Sequence, residues 1–362
     1  MARAGTRVRR RLNAPSGGPP LVVAVTGAGR GIGADVAIRL AGMPGMSVVG
    51  VDDVVAAEAG AAVIAWRQVN PGTPAVVEAF AGADAVVHLA LDLAPQVDRA
   101  AQRRLNATAA RATVTASSAA GVRRLVLVTS AMVYGARADN PVPIDDNAPL
   151  RAVPEASVLG DLLEIEALAR TSAKTYRGLA VTVLRPAIVL GPGARSAAAA
   201  QFDAPRLLRI RGHATKWQFC HVDDLASAIA VAVAGGIDGA ANVASPGWLE
   251  QADVERIAGR SSIELPARIA TATAERLHRL ALTPALPSEL DYLMHPWVVD
   301  PARLRAAGWS PSRTNADALA DYVGSRDRHS YGGLATRGAA AGATVALIGT
   351  AALVRRARRR RS

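Results

Sequence analysis

The sequence predicts an α/β fold, with a doubly wound parallel sheet, a smaller C-terminal lobe and a hydrophobic C-terminal tail. Three observations predict it. Short apolar runs rich in β-branched residues recur at 21–25, 47–51, 85–90, 124–130 and 180–184, each of strand rather than helix length. Helical patterns at 34–40, 74–81 and 96–120 separate them, so the strands run parallel with helical crossovers. From residue 191 the alternation loosens into shorter mixed segments, as expected of a lobe over the sheet's carboxyl edge.

Residues 1–20 are basic and then rich in Pro, Gly and Ser, and read as a disordered arm. The first unit, residues 21–53, carries the strongest signal. An apolar strand ends in glycines at 27, 29, 31 and 33, a helix follows, and a second apolar run ends in Asp52 and Asp53. Strand, glycine turn, helix, strand and acid make a dinucleotide-binding βαβ unit of Rossmann type. Gly27 permits the sharp turn, and Gly31 lets backbone N–H groups close on a pyrophosphate. Gly33 lets the helix approach the strand and point its positive end at the phosphates. Arg30 and Ile32 lie within the same turn. Asp52 stands where a carboxylate accepts hydrogen bonds from an adenosine ribose. Arg30 is suited to the 2′-phosphate of NADP, but Asp52 repels it. NAD is therefore the expected cofactor, ahead of NADP.

A third strand is expected over 61–66, a short helix over 74–81 and a fourth strand over 85–90, AVVHLA. A long helix, 96–120, precedes the fifth strand. A sixth, 180–184, leads into RPAIVLGPG. These place a dinucleotide-binding domain at 21–190 and a substrate lobe at 191–330. Within the lobe, FCHVDDLASAIAVAVAGG reads as strand, cap and helix, with Asp223 or Asp224 as the cap. Capping is preferred to a metal site at His221, because no ligand cluster accompanies it.

Bulk properties set outer bounds. The 362 residues hold one large domain with a lobe, and half are hydrophobic. The single cysteine, Cys220, excludes an internal disulfide framework and fits a reducing, cytoplasmic setting. No signal peptide is visible. The net charge is +12, with arginines concentrated at both ends. Solvated tails explain these runs better than specific nucleic-acid binding, since no aromatics interleave with them. In the tail, 331–362, residues 338–354 carry no charge and precede RRARRRRS. That length is at the lower limit for a span, and membrane contact is expected, either by insertion or as a shallow anchor on an anionic membrane surface.

Beyond the opening unit, an ordered set of motifs carries a family resemblance. Thr26, Gly27, Gly31 and Gly33 fit TGxxxGxG, the pattern of short-chain dehydrogenases/reductases. VVHLA, Asn106, GVRRLVLVTSAMVYG, LRPAIVLGPG, FCHVDDLASAI and VVDPARLRAAGW follow in order. Together they resemble the NAD-dependent epimerase/dehydratase family, the extended short-chain dehydrogenases, from about residue 22 to 323. The resemblance implies an NAD domain, a small-molecule substrate that is often a nucleotide sugar, and Leu89 and Ala90 lining the dinucleotide. It implies that His88 packs near the cofactor and places Ser130 at the family's catalytic Ser/Thr position.

The same resemblance exposes a loss. The family moves its proton with a Tyr-x-x-x-Lys pair on the helix after the fifth strand. Aligning Glu166 with the glutamate that follows that lysine puts Val158 at the tyrosine and Leu162 at the lysine. No Tyr-x-x-x-Lys occurs anywhere in the chain. Ile188 stands where nucleotide-sugar enzymes often carry an asparagine. Asp161 and Glu164 read as a solvated helix face. Two functions fit: an oxidoreductase or epimerase-like enzyme with altered acid–base residues, or a non-catalytic dinucleotide-binding sensor or scaffold.

Overall fold

Seven parallel strands form the central sheet of the computed structural model, which describes residues 19–57, 61–93, 98–155, 157–192, 194, 196–280 and 286–330. They are β1 (Leu21–Thr26), β2 (Met46–Asp52), β3 (Ala65–Gln68), β4 (Ala85–His88), β5 (Arg124–Val128), β6 (Ala180–Pro186) and β7 (Gly239–Val243). Their order is β7-β6-β5-β4-β1-β2-β3, which reverses direction at β1 and β4. Ligands of such sheets sit at that switch point, outside the carboxyl ends of the strands.

Helices cover both faces because consecutive strand residues point to opposite sides. Val87 of β4 joins a core that includes Val36, Leu40, Leu225 and Ile229. These belong to α1 (Gly31–Ala41) and α5 (Val222–Val233). Val86 faces the other way and packs with Phe80, Val114 and Ile165. That layer is built by α2 (Val76–Ala79), α3 (Arg99–Ala119) and α4 (Val158–Thr175).

Several local expectations shift. The third strand starts at Ala65, not at residue 61, because Ala61–Val63 form a 3₁₀ turn. The Ala61 carbonyl accepts both the Ile64 N–H at 3.1 Å and the Trp66 indole N–H at 3.3 Å. Neither Asp223 nor Asp224 caps α5. His221 does so, its Nδ1 accepting the Asp223 N–H at 3.2 Å. Asp223 is drawn to Arg39 on α1. Asp224 is buried and accepts from the Ser312 N–H (2.6 Å), the Ser312 hydroxyl (2.8 Å) and the Arg313 N–H (3.2 Å). Both carboxylates are engaged by tertiary partners, leaving the cap to the imidazole.

The lobe shares its core with the α1/α5 side of the sheet. Leu207–Arg211 pairs in parallel with Ser262–Pro266, and Ile188–Leu190 with Phe219–His221. Phe202 meets Trp217 and Phe219 edge-on, with ring centroids 5.3 and 5.5 Å apart. Residue 190 is not where the chain leaves the sheet, because β7 returns from beyond it. The hydrophobic and basic tail lies outside the described residues, as does most of the N-terminal arm. Among the described residues no helix is long and apolar enough to cross a membrane.

His88 is fully buried at the end of β4. Its Nδ1 lies 2.9 Å from the Thr26 hydroxyl and 3.2 Å from that of Thr113. Burial drives its pKa down to about 4 from an ordinary 6.5. A histidine depressed in the fold stabilises it above pH 6.5, and that contribution drains away as pH falls toward 4. Between pH 7 and 4.5 the loss is on the order of 2 kcal/mol. Urea unfolding of His88→Asn, which keeps a hydrogen-bonding group but cannot titrate, should therefore show a shallower acid slope. Equal slopes would exclude His88 as the acid-labile group.

Candidate functional site

The glycine turn is shaped by close backbone approach. Gly27 has φ +75°, and a Cβ there would lie 2.6 Å from the Ala90 nitrogen. A Cβ on Gly33 would come within 1.9 Å of the Gly27 carbonyl oxygen, so any larger residue would push α1 off β1. Gly29 is the glycine whose role the motif did not reveal. Its N–H donates to Asp52 Oδ2 at 3.0 Å, locking the turn to the end of β2.

Asp52 is nearly buried, and its Oδ1 also accepts the Asp53 N–H at 2.8 Å. Burial holds its carboxyl above the usual range, against the opposing pull of the Gly29 N–H and the nearby Arg30. Asp53 is held below it, chiefly by its hydrogen bond with Asp52 and also by Arg30. The Arg30 guanidinium bonds Asp53 and lies 3.5 Å from Asp52, so two carboxylates surround it.

Gly27, Arg30, Gly31, Ile32, Gly33, Asp52, Leu89 and Ala90 all line one cleft of about 1200 Å³. The structure thus brings together every residue the sequence assigns to the cofactor. Asp53, Asn70–Thr73 and Thr129 line it too; Asn70–Thr73 belong to no motif, and the fold alone brings them to the cleft.

A second pocket, of about 320 Å³, adjoins the first, and Ile32, Leu93, Thr129, Pro186 and Val189 line both. Ser130 lines it. Its Oγ also accepts the Met132 N–H at 3.2 Å, so the side chain ties down the turn after β5 while facing the pocket. Val158 and Leu162 line the same pocket from α4, and Ile188 from beyond β6. The wall that should present a tyrosine and a lysine is hydrocarbon.

The charged residues of α4 differ from expectation. Asp161 is not on a solvated face. It is buried, accepts from Asn106 Nδ2 at 2.9 Å, and lies 3.2 Å from Arg99. The long helix α3, packed alongside, supplies both partners. Glu164 is half-buried and pairs with Arg103 and Arg111 of that helix.

Beneath the pocket runs a polar network. Glu166 accepts from Arg185 through two bonds of 2.8 Å and from the Thr129 hydroxyl at 2.9 Å. Arg185 also donates to the Tyr134 hydroxyl at 2.8 Å, which donates to Asn242 Oδ1 at 2.8 Å. Tyr134 is only 1% exposed, and burial holds its hydroxyl above its usual pKa. It sits too deep to replace the absent tyrosine.

The lobe contributes what the sequence did not single out. Glu289 lines the pocket, and burial pushes its carboxyl up to about 7, with Glu155 adding to the rise and Arg99 opposing it. Tyr292 also lines it, its hydroxyl donating to the Met132 carbonyl at 2.7 Å. Burial raises that hydroxyl's pKa well beyond its ordinary value. Neither residue belongs to a motif; only the fold brings them to Ser130's pocket.

Comparison with known proteins agrees with this architecture. An uncharacterised protein of Mycobacterium tuberculosis (strain ATCC 25618 / H37Rv) is 29% identical over 317 residues, covering 85% of this chain and 84% of the relative. The UDP-glucose 4-epimerase of Thermotoga maritima, solved with UDP-glucose, superposes with a TM-score of 0.65 at 18% identity, covering 85% of this chain and 99% of that one. The UDP-glucuronic acid 4-epimerase of Bacillus cereus, solved with NAD, gives 0.66 at 15% identity, over 87% and 99%. At such identities the likeness is one of fold. The model of the NAD-dependent epimerase/dehydratase family matches residues 23–244, more than half the sequence, and the chain belongs to that family.

Proposed function

We propose that the chain binds NAD(H) between the glycine turn and Asp52, and acts on a small molecule held in the adjoining pocket. It is read as an oxidoreductase or epimerase-like protein with altered acid–base residues. The observation that carries the cofactor reading is Asp52, which closes the turn through Gly29 while lining the cleft. A carboxylate so placed suits a ribose diol. Bound NAD would supply hydride acceptance. The chain's own residues do the rest: Gly27, Gly31 and Gly33 admit the pyrophosphate, Leu89 and Ala90 line the cleft, and Ser130 orients a hydroxyl beside it.

Arg30 bears on cofactor choice. Already shared between Asp52 and Asp53, its charge is balanced, and a 2′-phosphate would meet two carboxylates. NAD(H) is expected to bind roughly ten-fold more tightly than NADP(H), about 1.4 kcal/mol. Asp52→Ala should erase most of that preference. Calorimetric titration with NAD, NADH and NADPH checks both, and equal affinities in the unaltered protein would assign the choice to Arg30 instead.

The solved relatives are named for UDP-sugars, which makes a nucleotide sugar the first substrate class to try. Val158 and Leu162 favour a second reading, a dinucleotide-binding module that senses or scaffolds without turnover. Stoichiometric NAD binding without nicotinamide reduction across alcohol and sugar substrates would support that reading.

A further inference from the structure

Among the described residues, the pocket beside the dinucleotide cleft offers little of the free positive charge a nucleoside diphosphate requires. Met132, Val158, Leu162, Ile188, Leu290 and Trp297 form its walls. Three arginines line it, and each already has a partner. Arg151 holds both oxygens of Asp139 at 2.7 Å. Arg137 donates to the Arg151 carbonyl at 3.0 Å. Arg99 reaches Asp161 at 3.2 Å and also bonds Gln102. Glu155, Glu289 and Asp291 share the same lining. A diphosphate would therefore bring its negative charge among carboxylates, where Arg99 and Arg151 are already paired with carboxylates and Arg137, held by a carbonyl, is the one lining cation among the described residues without a carboxylate partner.

The pocket suits another kind of molecule. Small-ligand sites are mostly apolar, with a few convergent polar groups that fix orientation. Here those groups include the Ser130 hydroxyl and the Glu289 carboxyl, the latter in a mainly apolar pocket. The volume of about 320 Å³ fits a compact body. We infer that this pocket takes an uncharged, largely hydrocarbon alcohol or ketone rather than a nucleotide sugar. The inference deepens the proposed function and rests on it only in treating this pocket as the substrate site.

The test uses the full chain saturated with NAD, titrated calorimetrically with menthol, menthone, UDP-glucose and UDP. Menthol or menthone should bind at least ten-fold more tightly than either nucleotide. Val158→Asp, which puts a charge on the apolar wall, should weaken the apolar ligand about ten-fold and leave NAD affinity unchanged. The inference is overturned if UDP-glucose or UDP binds as tightly as the apolar probes, or if none of the four binds. It is overturned equally if Val158→Asp still binds NAD and holds the apolar probe undiminished. Should that variant fail to fold, displacement of bound menthone by UDP-glucose in the unaltered protein decides the question. Failure of NAD itself to bind would remove the cofactor reading alone, since the same four titrations on the unloaded chain still compare the two ligand classes.

Discussion

UDP-sugar epimerase or dehydrogenase turnover by the unaltered chain is expected to lie ~10²–10⁴-fold below that of relatives keeping the Tyr-x-x-x-Lys pair. Proton transfer requires a titratable group within hydrogen-bond reach of the reacting hydroxyl, and α4 presents Val158 and Leu162. The obvious replacements are locked away. His88 is held between Thr26 and Thr113, Asp161 is bound by Asn106 and Arg99, and Tyr134 is bound by Arg185 and Asn242. Glu289 is a titratable group on the pocket wall with a pKa brought near neutrality. Any residual oxidation of an alcohol should therefore rise as pH passes about 7, where Glu289 ionises and becomes a base, and vanish in Glu289→Gln. Steady-state NADH production from UDP-glucose, UDP-galactose and simple alcohols between pH 5.5 and 9 measures it. Turnover at ordinary family rates, or residual activity untouched by Glu289→Gln, would defeat the argument.

Glu166→Ala is expected to remove ~3–5 kcal/mol of folding stability. Arg185 would be left buried with its charge uncompensated, and the Thr129 hydroxyl would lose its 2.9 Å bond to Glu166. Set against the 5–15 kcal/mol typical of folded domains, that approaches the whole margin at the lower end. Combining Glu166→Ala with Arg185→Met should recover much of it, since an apolar pair need not leave a charge stranded. Urea midpoints of the single and double variants give the comparison. A single variant as stable as the unaltered protein would mean that water, not the ion pair, satisfies Arg185.

The fold and the dinucleotide cleft were legible for the same reason. Gly27, Gly33 and Asp52 act through local backbone geometry within one βαβ unit, so their spacing carries the information. That no Tyr-x-x-x-Lys occurs is read directly from the sequence, and the structure places Val158 and Leu162 on the pocket wall. What escaped depends on long-range packing. Asp161 has the sequence look of a surface charge until α3 is laid beside it with Asn106 and Arg99. Asp223 and Asp224 look like caps until Arg39 and the Ser312 loop take their oxygens. Glu289 and Tyr292 sit in a segment without motifs, and only the lobe's return over the sheet carries them to the pocket.

That return has a consequence for how the chain reaches its native state. Strand β7 is drawn from residues 239–243, well after the other six, and Asp146 clasps it by accepting the Asn242 N–H at 2.6 Å and the Arg303 N–H at 2.9 Å. During synthesis from the N-terminus, β6 therefore waits as an open edge, the groups that face away from β5 unpaired, while much of the lobe is made. Nascent chains that stall between β6 and β7 expose a sticky strand of AVTVLRP. The sheet that carries the dinucleotide cleft is thus completed by a strand from the later part of the chain, the part that also lines the second pocket.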